Sequence, residues 1–197
     1  ETDEDIHAHT TGQLSFVEAI STLDKYPREL GHDKTIVFYN DSETFHWERP
    51  TDDFCDVRTG VVCTPNNYCY DEKDGDLPDG IMRVTALADY QRWRTLDKNS
   101  YQTEKEKWFE QVQASAARFV PDYRPHIIDT DMFTPHTINR FTWHENGAVY
   151  GATRKWLDGT TAIDNLFLCG TDQGFVGIIG SIVSGLSMAN QHLLVRS

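Results

Sequence analysis

A chain of 197 residues with 39% hydrophobic and 12% aromatic content is long enough to bury a sizeable core, which excludes global disorder. Lys plus Arg number 18 against 31 Asp plus Glu, and the resulting net charge of −13 repels phosphate backbones, so no nucleic acid partner is expected. No apolar run approaches the roughly 20 residues that cross a bilayer, so no transmembrane segment is expected, and the acidic start has neither the basic nor the apolar region of a signal peptide.

Residues 1–34 read as an acidic lead-in and a short helix, the latter over the amphipathic segment Phe16 to Leu23; the opening without methionine reads like a cut or processed end. His7 and His9 have no third and fourth ligand at useful spacing and are given no role. The first strand is expected at Thr35 to Tyr39, ended by Asn40-Asp41-Ser42, whose side chains favour turns. A second follows at Gly60 to Thr64, stopped by Pro65, and a third at Gly80 to Leu87 after the turn-rich Asp74 to Asp79. Irregular connections between these strands imply a mixed or antiparallel sheet. Cys55, Cys63, Cys69 and Cys169 lack the C-x-x-C pairing of a zinc site, and reduced, unliganded thiols are expected.

Thr103-Glu104-Lys105-Glu106 has the pattern of a capping box, and Trp108, Val112, Ala116 and Phe119 form an apolar stripe that ends before Pro121. This predicts a helix packed on the sheet. His126 to Phe133 reads as extended, Thr134-Pro135 starts a short helical turn through Arg140, and a lobe boundary is expected near Phe141. Arg140 suits a structural role at that junction, flanked by His136 and His144. No Ser-His-Asp, Cys-His or paired-carboxylate arrangement stands out for hydrolysis.

Beyond Gly147 the composition turns to glycine, small residues and aliphatics. A strand is expected at Asn165 to Gly170, then a glycine-bearing loop to Gly177, then an apolar helix from about Ile178 to Leu194. Small residues at Gly180, Ser181, Ser184, Gly185 and Ala189 crowd one side of that helix and allow close approach of a backbone or a flat ligand. Its amino terminus suits an anion or a polarisable group.

Four segments occur in order: Phe133-Thr134-Pro135-His136-Thr137-Ile138-Asn139-Arg140, Asn146-Gly147-Ala148-Val149-Tyr150-Gly151, Asn165-Leu166-Phe167-Leu168-Cys169-Gly170, and the run from Gly177 to Gly185. Together they resemble the carboxyl end of the phytoene desaturase and carotenoid isomerase family, FAD-dependent oxidoreductases of the flavin amine oxidase superfamily. The resemblance implies an α/β fold: residues 35–140 as part of a mixed-sheet substrate lobe with covering helices, and 141–197 as the carboxyl-terminal strand-loop-helix of a Rossmann-like FAD domain. It implies that Tyr150 and Gly151 pass near the flavin, that Gly170 and Asp172 approach the ribityl or pyrophosphate region, and that Gly177, Ile178 and Ile179 lie beneath the ring. The loop from Gly170 to Gly177 is one residue shorter than in typical relatives. The Gly-x-Gly-x-x-Gly turn that grips the ADP half of FAD is absent, so the chain alone is expected to hold FAD weakly or not at all.

The implied activity of the intact enzyme is hydride transfer between flavin and a small apolar, isoprenoid-like substrate, with a missing amino-terminal segment or a partner chain completing the site. The other reading open at this point is a non-catalytic or split-subunit module that completes a flavin site on a partner. A cytoplasmic location is expected, with membrane association left open for the intact enzyme.

Overall fold

The computed structural model describes residues 11–46, 48, 50–70 and 77–194. The His7 and His9 reading and the first half of the turn from Asp74 to Asp79 lie outside them. Five strands form one antiparallel sheet: β1 (Ser15–Leu23), β2 (Ile36–Asn40), β3 (Cys55–Cys63), β4 (Gly80–Ala88) and β5 (Ile127–Phe133), in the order β2-β3-β4-β1-β5. The α/β class and the sheet with covering helices are as expected, and every pairing is antiparallel.

The first correction concerns Phe16 to Leu23, expected as a helix and folded as an internal strand. β1 pairs with β4 from Ser15↔Ala88 to Leu23↔Gly80, and with β5 on its other edge. The residue pattern accounts for this, because Val17, Ala19, Ser21 and Leu23 alternate with more exposed neighbours and all point into the core. That is the period of two of a half-buried strand, in a segment with β-branched residues at Val17, Ile20 and Thr22. β3 also starts earlier than expected, at Cys55, and its register on β4 shifts between Asp56 and Gly60. Such a bulge breaks the alternation that marks a strand in sequence.

After the short helix α1 (Tyr90–Arg94), the long helix α2 spans Lys98–Ala116. It begins five residues before the expected capping box. Asp97 is the N-cap, its carboxylate accepting from the amides of Asn99 and Ser100 at 2.9 and 3.1 Å. Thr103 is already helical, its hydroxyl donating back to the Asn99 carbonyl. An Asp cap does what the Thr-x-x-Glu pattern would have done, and placed earlier it adds a turn. Trp108, Val112 and Ala116 are buried against the sheet as expected. Phe119 lies past the helix end and stacks on Tyr39, ring centroids 4.9 Å apart.

Two buried polar contacts fix how α2 sits. Gln113 donates from Nε2 to Ser21 Oγ at 2.6 Å and accepts from the Tyr123 hydroxyl, so all three polar side chains are satisfied out of water. Burial holds the Tyr123 phenol protonated far above its usual range. His32 packs edge-on to Tyr123, and its Nε2 is buried without a hydrogen-bond partner among the described residues. Desolvation lowers the His32 pKa, against the opposing pull of a backbone hydrogen bond at Pro121.

Residues from 141 onward contain no multi-residue strand among those described. The strand expected at Asn165 to Gly170 is reduced to a single bridge, Thr160↔Phe167. A strand needs a neighbour along its length, and this segment has only that one; Asn165 also adopts a left-handed conformation, φ 63°. Helices α3 (Pro135–Thr142) and α4 (Gly177–Met188) form near their expected places, α4 closing in a wider π-type turn over Ala189–Leu193. Among the described residues no helix is long and apolar enough to cross a membrane.

Removing the Trp108 ring should cost about 3–5 kcal/mol, as for a large side chain lost from a packed core, and urea unfolding of Trp108→Ala measures it. Stability should also fall as pH drops through the ordinary histidine value near 6.5, because the unfolded chain takes up a proton that folded His32 resists. In His32→Phe that part of the acid loss should vanish, read as a smaller change in urea midpoint between pH 8 and pH 5.

Candidate functional site

The carboxyl-terminal third is clasped to the sheet through Asn146 and Gly147. Asn146 is buried, donates to the Gly12 carbonyl at 3.1 Å and accepts from Gln91 Nε2 at 3.0 Å. The Gly147 carbonyl accepts from Ser15 Oγ at 2.7 Å, and the Val149 amide donates to the Leu14 carbonyl at 3.0 Å. Residues just before β1 and after α3 are thereby held side by side, more than 130 positions apart in the chain.

This clasp delivers Gly151 to Asp172. The Asp172 carboxylate accepts from the Ala152 amide at 2.6 Å, and the Asp172 carbonyl accepts from the Trp156 amide at 2.9 Å. A Cβ at Gly151 would overlap the Asp172 carboxylate and lie 2.8 Å from Thr171 Oγ1, and Gly151 also has φ +69°. Both facts require glycine there. Around the pair opens a cleft of about 330 Å³, lined among others by Gly12, His144, Trp156 and Leu168. His144 Nδ1 lies 2.8 Å from the Ala148 carbonyl, which can only accept; the neutral ring therefore keeps its proton on Nδ1 and has Nε2 as an acceptor. The cleft thus combines two carboxylate residues, Glu145 and Asp172, with an imidazole and apolar walls.

Of the other residues singled out from sequence, Gly170 donates its amide to Ser184 Oγ at 2.6 Å, and Ser184 donates to Gln173 Oε1. Gln173 donates in turn to the Leu157 carbonyl at 2.9 Å. This buried knot seats α4 on the loop before it. Tyr150 lies outside the cleft, its ring edge-on to Phe16 of β1 at 5.9 Å. Gly177, Ile178 and Ile179 form a separate exposed tip and do not line the cleft. Gly177 has φ +76° with nothing within 4 Å of where a Cβ would stand, and Ile178 and Ile179 are 83% and 77% exposed. No side chain caps the helix start at Val176.

The small-residue side of α4 therefore faces its own loop, where a Cβ on Gly180 would come 3.0 Å from Phe175 backbone. Its aliphatic side, with Ile178, Ile179, Ile182 and Leu186, faces outward. Sequence reading missed Gly12 altogether: a Cβ there would overlap the Gly151 carbonyl and sit 2.6 Å from Ala148 Cβ. A lone glycine in a polar lead-in carries no local sign of a partner so far along the chain.

No protein-family model matches the chain, and no curated protein matches it.

Asn146→Ala leaves Gln91 and the Gly12 carbonyl without their partner and should cost roughly 1–3 kcal/mol in urea unfolding. Asp172→Ala should leave the sheet intact while hydrogen exchange at the Ala152 amide speeds by about tenfold or more, the loss of one charge-assisted bond. An Ala152 amide as protected as before would show that the carboxylate does not hold this loop.

Proposed function

We propose that this chain is the carboxyl-terminal part of an FAD-dependent oxidoreductase of the phytoene desaturase kind. In this reading residues 35–140 belong to its substrate lobe and 141–197 to a Rossmann-like flavin domain. The observation that carries it is the inverted burial of α4. A helix on a finished surface hides its aliphatic side and shows its polar one, whereas here Ser184 is buried and Ile178, Ile179, Ile182 and Leu186 are exposed. The residues fit a flat, partly apolar ligand: an open, side-chain-free approach at Gly177, an uncapped helix start with free amides, and isoleucines beside it.

FAD bound there would supply hydride transfer to or from an apolar, isoprenoid-like substrate. The chain's own contribution is placement. The Gly170-Ser184-Gln173 knot fixes the angle of α4, the Asp172–Ala152 bond fixes the loop beside it, and Ile178 and Ile179 would exclude water from a ring laid on them. A second reading rests on the same exposed face: the chain is a subunit that completes a flavin site on a partner chain.

Joining the chain to an amino-terminal segment bearing strand-Gly-x-Gly-x-x-Gly-helix should give a product with bound flavin absorbance, where the chain alone has little. In the joined protein Gly177→Val and Ile178→Glu should each cut flavin occupancy several-fold. Ile178 is exposed in the chain alone, so its variant separates ligand loss from misfolding. Unchanged occupancy in both variants refutes the proposed contact, and a chain that purifies yellow by itself refutes the partial site. Flavin gained only on mixing with a separate partner supports the subunit reading.

A further inference from the structure

A second cleft, of about 660 Å³, lies between α1, the start of α2, and α3, away from the glycine-rich end. Its lining includes Arg94, Lys98 and Arg140, and no Asp or Glu lines it. In a chain of net charge −13 this is a reversal of the prevailing sign. Several cations elsewhere are matched, Arg58 with Asp56, Arg83 with Glu18, Arg118 with Asp41 and Arg124 with Asp122, whereas among the described residues Arg28 and Lys155 bond only uncharged acceptors. Arg94, Lys98 and Arg140 make no ion pair among the described residues. The nearest acid in sequence, Asp97, is committed to the amides of Asn99 and Ser100 and to the Ser100 hydroxyl.

Aromatic rings share the lining with Leu96, Asn99, Gln102 and Thr137, and the inner ones are held in place. Trp93 is buried and edge-on to Tyr101 at 5.7 Å; Tyr101 is edge-on to His136 at the same distance, and its hydroxyl is 2.8 Å from Thr134 Oγ1. Phe141, on the rim, carries the Arg140 guanidinium at 5.5 Å from its ring centre. Unpaired cations over a fixed aromatic wall suit a ligand with an anionic head and an apolar body.

We propose that this cleft binds a small anionic amphiphile, its phosphate or carboxylate held by Arg94, Lys98 and Arg140 and its apolar chain laid against Trp93, Tyr101 and Phe141. The site is independent of the flavin reading, and stands or falls on this chain alone.

Calorimetric titration of the full chain with octyl phosphate should show saturable one-site binding that weakens as salt is raised. Octanol and inorganic phosphate, each with half of the ligand's chemistry, should bind at least about tenfold more weakly. Arg94→Gln and Arg140→Gln, at exposed positions, should each weaken octyl phosphate about tenfold with unchanged thermal unfolding. The proposal is overturned if octyl phosphate does not saturate, if octanol or phosphate alone matches it, or if the double variant binds as before. Flotation with phosphatidylglycerol vesicles in the absence of octyl phosphate binding would overturn it in favour of a membrane-surface contact.

Discussion

The clasp of Asn146 and Gly147 onto Gly12, Leu14 and Ser15 is the constraint on which the arrangement of this chain depends. The core of the sheet and α2 is built from residues before 133, whereas the described residues beyond 147 form no multi-residue strand and little core of their own. What orients them is a short set of hydrogen bonds at the start of β1. Such bonds are modest in net energy but costly to leave unmade, so they specify position more than they add stability. Through them Gly151 meets Asp172, and the loop around Asp172 in turn supports α4.

The two parts of the molecule obey different burial rules. In the sheet lobe Val17, Met82, Val84 and Trp108 are buried, and the buried carboxylates of Glu18 and Asp56 are paired with Arg83 and Arg58. In the last third Trp143, Leu157, Ile178 and Leu193 are largely exposed, and the buried groups of α4 are Ser184 and Met188. Exposed apolar patches in folded proteins mark interaction surfaces, ligand grooves or aggregation liabilities. The proposed flavin domain gives that contact a chemical identity, and the free amides at Gly177 and the isoleucines beside it are its proposed point of meeting. The cationic cleft near α3 is built on the opposite plan, with Trp93 buried in the core and Phe141 and the charges at the rim.

Much of the lobe was legible in sequence where spacing and burial agreed. Trp108, Val112 and Ala116 kept helical spacing, and all three are core; Gly80 to Leu87 alternated and became β4. Phe16 to Leu23 misled because a short amphipathic run fits either period, and only pairing with β4 and β5 decided it. Thr103 misled because a cap pattern inside a helix looks the same as one at its start; Asp97 had already capped it. Asn165 to Gly170 had strand-like residues but no neighbour along its length to pair with.

By itself the sequence determined the α/β class and the approximate sites of α2, α3 and α4, because these follow from local spacing and local sterics. Tertiary structure alone decided that β1 is internal, that Gly12 must be small to admit Gly151, and that Arg94, Lys98 and Arg140 share one cleft. Each of those spans at least 46 positions, from Arg94 to Arg140, and as many as 139, from Gly12 to Gly151, and no local preference encodes a neighbour that distant.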